Sequence, residues 1–166
     1  MRNLLIDAGK FFYHSALRWF PTYGIRTLDA VIITHSHADA IGGLDDLRDW
    51  TNNVQAFIPI YVARRDFEVM KKTHYYLVDT SVVLEGAAVS ALQFNIIHEE
   101  PFVVHDLKFT PLPVWHGVGY RSLGFRFGMM HHMDHDEVNE SLLGLKDTEG
   151  LDVQLSYDGL RVPVNL

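Results

Sequence analysis

Three potential metal ligands follow a single apolar run within five residues of the chain. Residues 30–34 are apolar or β-branched at every position, which is typical of a central strand covered on both faces. This run leads straight into the segment His35-Ser36-His37-Ala38-Asp39. Alternate residues of an extended chain point to the same side, so the two histidines can face one ion while the turn brings Asp39 to a neighbouring position. The sequence therefore predicts a metal site at the carboxyl end of a buried strand.

The absence of cysteine limits the chemistry of any such site. The 166 residues contain no cysteine and 10 histidines. Disulfide frameworks, thiolate zinc fingers and cysteine nucleophiles are therefore excluded, and a metal must be held by histidine and carboxylate side chains. A formal net charge of -7 also disfavours loose electrostatic binding to nucleic acid or to an anionic membrane surface.

The order of the predicted elements indicates a mixed α/β fold, with strands between helices early in the chain and a run of strands in its middle. Strands are predicted over residues 3–6, 30–34, 58–62, 82–84, 92–97, 102–104, 107–112, 122–127 and 153–157. Helices are predicted over residues 13–20, 44–50, 63–72 and 135–146. Pro21 is expected to stop the first helix, and Pro111 and Pro113 are expected to bracket a turn.

The composition gives no reason to divide the chain. With 48% hydrophobic residues and no linker rich in Pro, Gly or Ser, residues 1–166 are expected to form one globular domain. The N-terminal residues reach Asp7 too early for the apolar region of a signal peptide, and no apolar run is long enough to span a bilayer. We therefore expect an intracellular, cytoplasmic protein.

Four ordered motifs resemble those of the metallo-β-lactamase-fold hydrolases. The histidine-rich segment that starts at His35 is the first, and Asp7-Ala8-Gly9 resembles the early Asp-x-Gly turn of that family. The segment Val114-Trp115-His116-Gly117 resembles the strand-end histidine of the first metal site. Residues 128–131 and 133–135 resemble the late histidine segment of the phosphodiesterase branch, which includes the phosphoribosyl cyclic-phosphate phosphodiesterases. Residues 32–50 and 111–127 are especially similar to the plant and fungal PhnP-like hydrolases.

This resemblance implies an αββα sandwich with the metals at one edge. His35, His37 and His116 would hold a first ion, either Zn²⁺ or Mn²⁺. Asp39 and His131 would hold a second ion and act as the catalytic residues. The implied activity is a metal-dependent hydrolase, specifically a phosphodiesterase that attacks a small phosphodiester-type substrate with metal-bound hydroxide. A thioester or lactone hydrolase of the same fold is the alternative among enzymes. Nucleic acid is a less favoured partner, although the branch is distantly related to tRNA 3′-processing nucleases.

Two departures from the family pattern affect the second metal site. Ala40 stands where the superfamily usually has a histidine, although the eukaryotic PhnP-like branch also carries alanine there. Between the strand over 122–127 and the histidine segment that starts at Met129, the family has a long segment with a metal-bridging aspartate that has no counterpart here. The opening strand of the family fold also has no counterpart before Met1. The chain is therefore expected to comprise two blocks, residues 2–128 and 129–166, of a longer domain.

The missing segment leaves a second interpretation open, in which the chain is a truncated relative that binds one metal weakly and is catalytically impaired or inactive. Lost strands would expose sheet edges, which predicts aggregation or edge-to-edge pairing, including a homodimer. His132, Asp134 or His135 could replace the lost ligand. The spacing of Asp134 to Glu137, however, favours a helix cap.

Two further features each have two interpretations. Asp7 is either a partner that orients a ligand histidine or simply a turn former. The basic pairs Arg64-Arg65 and Lys71-Lys72 share one helix face. That face could bind a phosphate group, but the favoured interpretation is a helix face that is simply exposed to solvent.

Overall fold

The computed structural model describes residues 2–79 and 89–129. In chain order the elements are β1 (Leu4–Ile6), α1 (Phe12–Tyr23), β2 (Ala30–Ile32), α2 (Ala38–Ile41), α3 (Leu44–Asn53), β3 (Ile58–Ala63), α4 (Arg64–Thr73), α5 (Tyr75–Val78), β4 (Leu92–Ile97), β5 (Phe102–Val104), β6 (Leu107–Trp115) and β7 (Arg121–Met129). The strands predicted over 82–84 and 153–157 and the helix predicted over 135–146 lie outside the described residues. The mixed α/β class predicted from the sequence is confirmed.

The strands form two sheets of different type. Strands β1, β2, β3 and β4 are neighbours in that order and pair in parallel. Helices α1, α3 and α4 occupy the crossovers between them, as parallel pairing requires. Strands β5, β6 and β7 form an antiparallel sheet.

The inner strand β2 is buried on both faces because its residues alternate between two apolar layers. Val31 packs in a cluster with Phe12 of α1 and Leu47 of α3. Ile32 points the other way and packs with Phe109 of the antiparallel sheet. Each fully buried side chain of this size contributes roughly 1.5–3 kcal/mol relative to an exposed one. The layers in the described residues are therefore helices, parallel sheet and antiparallel sheet, and the second helical layer of the expected sandwich is not among them.

The prediction that two prolines bracket a turn is wrong, because Pro111 and Pro113 both lie inside β6. They pair with Phe125 and Leu123 of β7. On its other side β6 is paired with β5 only as far as Phe109. Residues two apart direct their N–H groups to the same edge of a strand, so two prolines at this spacing fit an edge that lacks a partner strand. Among the described residues, no strand pairs with that edge beyond Phe109.

The first helix also differs from its prediction, because Pro21 lies within α1 instead of ending it. A proline in the last turn removes one hydrogen bond and leaves the preceding turns intact. The helix ends where Gly24 adopts a left-handed conformation with φ 66° and donates its N–H to the Pro21 carbonyl. Within residues 2–79 and 89–129, no helix combines the length and apolar character needed to cross a membrane.

Candidate metal centre

Three imidazoles from the two sheets meet at one edge of the molecule. His35 and His37 lie in the loop after β2, and His116 lies in the turn after β6. Their candidate ligand nitrogens are all within 4.8 Å of one another. The family resemblance implies this set of three, and the structure brings them together. A tetrahedral ion bound by three histidines keeps a fourth position open for water or substrate.

The loop that carries the first two histidines is folded against the early Asp-x-Gly turn. The N–H groups of Ala8 and Lys10 donate to the carbonyls of Ala40 and Ala38, each within 2.9 Å. A Cβ at Gly9 would collide with the carbonyl oxygen of Asp39. This close approach of two backbones explains why glycine is required in the turn.

A chain of hydrogen bonds orients the imidazole of His35. The carboxylate of Asp7 accepts bonds from the backbone N–H and the hydroxyl of Thr34, and the same hydroxyl oxygen lies 2.8 Å from Nδ1 of His35. Because the single hydroxyl proton is donated to Asp7, Nδ1 must be the donor to the threonine oxygen. Nε2 of His35 is then left unprotonated, with a lone pair that can bind a metal. Asp7 also has a left-handed φ of 61°, which is typical of a turn. It therefore both orients the imidazole of His35 and forms the turn after β1.

Burial changes the protonation of these groups. It raises the pKa of Asp7 to about 6, against an opposing effect of the hydrogen bonds from Thr34. It lowers the pKa of His35, an effect that the nearby Asp39 opposes and the other two imidazoles reinforce. At neutral pH Asp7 is therefore mainly a carboxylate and His35 mainly a neutral imidazole, which is the form that binds metals.

The unprotonated Nε2 of His35 has no hydrogen-bond partner within the described residues. This nitrogen is buried. Asp39 Oδ1 lies 3.3 Å away without forming a hydrogen bond. A buried polar atom without a partner is costly, so this nitrogen fits a ligand that binds in the cluster. The residues present therefore suit a divalent ion.

A profile of the Beta-lactamase superfamily domain matches residues 2–145. The chain belongs to the beta-lactamase superfamily. Its mixed α/β fold, with one parallel and one antiparallel sheet, agrees with the metallo-β-lactamase fold of the solved relatives.

Two solved structures share this superfamily fold. The first is a diphosphatase from the PhnP family, whose sequence is 31% identical to this chain and whose structure matches with a TM-score of 0.60. The match covers 75% of this chain and 44% of the diphosphatase. The metallo-β-lactamase fold protein YhfI from Bacillus subtilis is 22% identical with a TM-score of 0.56, covering 78% of this chain and 46% of that one. An octanoyltransferase from Porphyromonas gingivalis is 31% identical over 131 residues, which are 78% of this chain and 24% of that protein. The chain thus spans about a quarter of this curated relative's length.

Of the other ligands implied by the superfamily resemblance, only Asp39 lies within the described residues. Asp39 lies in the first turn of α2 with its side chain 67% exposed, 3.3 Å from Nε2 of His35. Ala40 is fully buried in the apolar core instead of facing solvent. His131 lies outside the described residues. The alternative ligands His132, Asp134 and His135 also lie outside them.

Two of the four basic side chains on the helix face of α4 are engaged in ion pairs. Arg65 contacts Asp66 and Glu99, and Lys71 contacts Glu68. These ion pairs agree with the favoured interpretation of a solvated face.

Sequence reasoning missed two residues next to the cluster, Tyr120 and Asp66. They are far apart in sequence, and their contact is visible only once both sheets are assembled. One signal was available for Asp66, which lies one helical turn before Met70 on the buried face of α4. A carboxylate at a buried helix position needs a specific partner.

Proposed function

We propose that the chain is the metal-binding part of a hydrolase that cleaves phosphodiester-type bonds. The observation that carries this proposal is the buried Nε2 of His35, which makes no hydrogen bond within the described residues and belongs to an imidazole that clusters with those of His37 and His116. The similarity to a PhnP-family diphosphatase at 31% identity supports the choice of a phosphorus-containing substrate.

The three histidines would hold one divalent ion, with Zn²⁺ and Mn²⁺ as the candidates. When bound, such an ion would polarise a phosphoryl oxygen and would lower the pKa of a coordinated water to about 7. The neutral state of His35 at pH 7, which its burial favours, keeps the lone pair available for this role.

Asp39 would act on the water that attacks the substrate. Its exposed carboxylate, 3.3 Å from Nε2 of His35, supports this role. From there it would orient the attacking water by accepting its proton in a hydrogen bond. His131 would join Asp39 around a second ion, which these two ligands would hold less firmly than the three histidines hold the first.

The proposed activity is tested with bis(p-nitrophenyl) phosphate as substrate. We expect hydrolysis that a chelator abolishes and that added Zn²⁺ or Mn²⁺ restores. His116→Ala should remove the activity, whereas His14→Ala, which replaces an exposed histidine outside the cluster, should keep it. Equal turnover by the two variants, or turnover that withstands chelation, would count against the proposal.

A further inference from the structure

Tyr120 touches the candidate metal centre from the turn between β6 and β7. Its ring stacks on the imidazole of His37, with centroids 4.7 Å apart and planes inclined by 23°. It lies 6.4 Å from the ring of His35 and 6.2 Å from that of His116. The backbone N–H of His116 also donates to the Tyr120 carbonyl at 2.9 Å. Tyr120 therefore contacts the parts of both sheets that supply the three histidines.

The orientation of the His37 imidazole depends on such a contact more than that of the His35 imidazole does. The imidazole of His35 is buried and fixed by the hydroxyl of Thr34. His37 is exposed, and the hydrogen bonds within residues 2–79 and 89–129 give its ring no partner. Its ring lies 4.9 Å from that of His35 and 5.4 Å from that of His116, and Tyr120 adds the stacked contact at 4.7 Å that these two candidate ligands do not provide.

The phenol of Tyr120 is held by a complete set of hydrogen bonds. Its hydroxyl donates to Asp66 Oδ1 at 2.8 Å. Its oxygen accepts from the backbone N–H of Ser36 at 3.1 Å. Because the phenol proton is used on Asp66, the Ser36 hydroxyl at 3.0 Å must also donate to this oxygen. With one bond donated and two accepted, the phenol is not free to react and acts by holding its ring in place.

Asp66 anchors this arrangement from the first turn of α4. Its side chain is only 1% exposed, and its second oxygen accepts a bond from Nε of Arg65 at 3.2 Å. A buried carboxylate is retained only where its hydrogen bonds are satisfied, and Tyr120 satisfies one of its two oxygens. The helix after β3 is thereby connected, through one side chain, to the loop after β2.

We propose that Tyr120, held by Asp66, is a positioning residue that fixes the imidazole of His37 so that it can share one ion with His35 and His116. This inference rests on the proposed function. Groups that orient metal ligands typically change metal affinity by about 10–100-fold when they are removed. Tyr120→Leu removes the stacked ring, and Tyr120→Phe keeps the ring but removes its bond to Asp66.

The test is a Zn²⁺ titration in competition with a chromophoric chelator, together with the visible spectrum of the Co²⁺-loaded protein. We expect Tyr120→Leu to weaken Zn²⁺ binding by at least about 10-fold and Tyr120→Phe to have a smaller effect in the same direction. The Co²⁺ absorption bands should shift in both variants, since they report ligand geometry. Tyr13→Leu, at an exposed aromatic residue of α1, is the matched control and should behave like the wild type.

A double-mutant cycle separates positioning from simple packing. If Asp66 acts through the phenol, Asp66→Ala combined with Tyr120→Phe should weaken Zn²⁺ binding no more than the stronger single change does. Unchanged Zn²⁺ affinity and Co²⁺ spectrum in Tyr120→Leu and Tyr120→Phe would overturn the inference while the wild type still binds metal. A wild-type protein that binds neither ion would instead refute the proposed function, and the inference with it.

Discussion

The carboxylate of Asp7 accepts hydrogen bonds from both the backbone N–H and the hydroxyl of Thr34, at 2.8 and 2.7 Å. This pair connects the end of β1 to the end of β2 and determines which nitrogen of His35 carries a proton. The Asp-x-Gly turn thus has two functions. Its aspartate sets the tautomer of a candidate ligand, and its glycine allows the two loops to approach.

Removing the threonine hydroxyl should weaken metal binding with little change in packing. Thr34→Val keeps the shape of the side chain but breaks the connection from Asp7 to Nδ1 of His35, so the imidazole loses its fixed tautomer. We expect Zn²⁺ affinity to fall about 10-fold, as is typical for partners of metal-binding histidines. Thr34→Ser retains the hydroxyl and should bind like the wild type. Equal affinities of the two variants in a competition titration would argue against the hydrogen-bonded chain.

Asp7 should make the stability of the metal-free protein depend on pH. Its pKa is raised from 3.8 to about 6 in the folded state, so the folded chain binds more protons than the unfolded chain between these values. The stability contributed by the protonated carboxyl is complete below pH 3.8 and is lost as the pH rises through about 6. This loss amounts to roughly 2–3 kcal/mol.

Asp7→Asn removes this titration, and comparing it with the wild type cancels the contribution of groups that both proteins share. From about pH 4 to pH 7, urea unfolding of chelator-treated protein should show the wild type losing roughly 2–3 kcal/mol relative to the variant. A difference between the two proteins that does not change with pH would contradict the raised pKa.

Substitution of Gly9 should destabilise the chain. A methyl group there would meet the Asp39 carbonyl oxygen, which is backbone and has little freedom to move. We expect Gly9→Ala to lower the free energy of unfolding by about 1–3 kcal/mol. Gly128→Ala, where a Cβ would meet no heavy atom within 4 Å, is the control and should be nearly neutral in the same denaturation experiment.

Restoring the usual superfamily histidine at position 40 should not add a metal ligand. Ala40 is fully buried in the apolar core, so an imidazole there would overpack the core and bury a polar ring. Ala40→His should therefore lower the unfolding midpoint without adding a bound ion. An additional equivalent of metal in this variant, measured by atomic emission, would show that position 40 can face the centre.

Local patterns in the sequence predict the parts of this site that depend on neighbouring residues. The spacing of His35 and His37 after an apolar strand is sufficient to place both at one strand end. His116 could be assigned only by family resemblance, since 79 residues separate it from His37. The contact of Tyr120 with Asp66 joins the turn between β6 and β7 to α4, and neither residue belongs to a recognisable motif. The error at Pro111 has the same origin, because an unpaired strand edge is a property of the assembled sheet.

The zinc content of the purified protein tests the central claim most directly, namely that the three imidazoles hold a divalent ion. The folded wild type should retain about one equivalent of Zn²⁺ after gel filtration. His14→Ala should retain the same amount, and His35→Ala should retain almost none. A folded wild type that takes up no Zn²⁺, or a His35→Ala variant that keeps a full equivalent, would contradict the account.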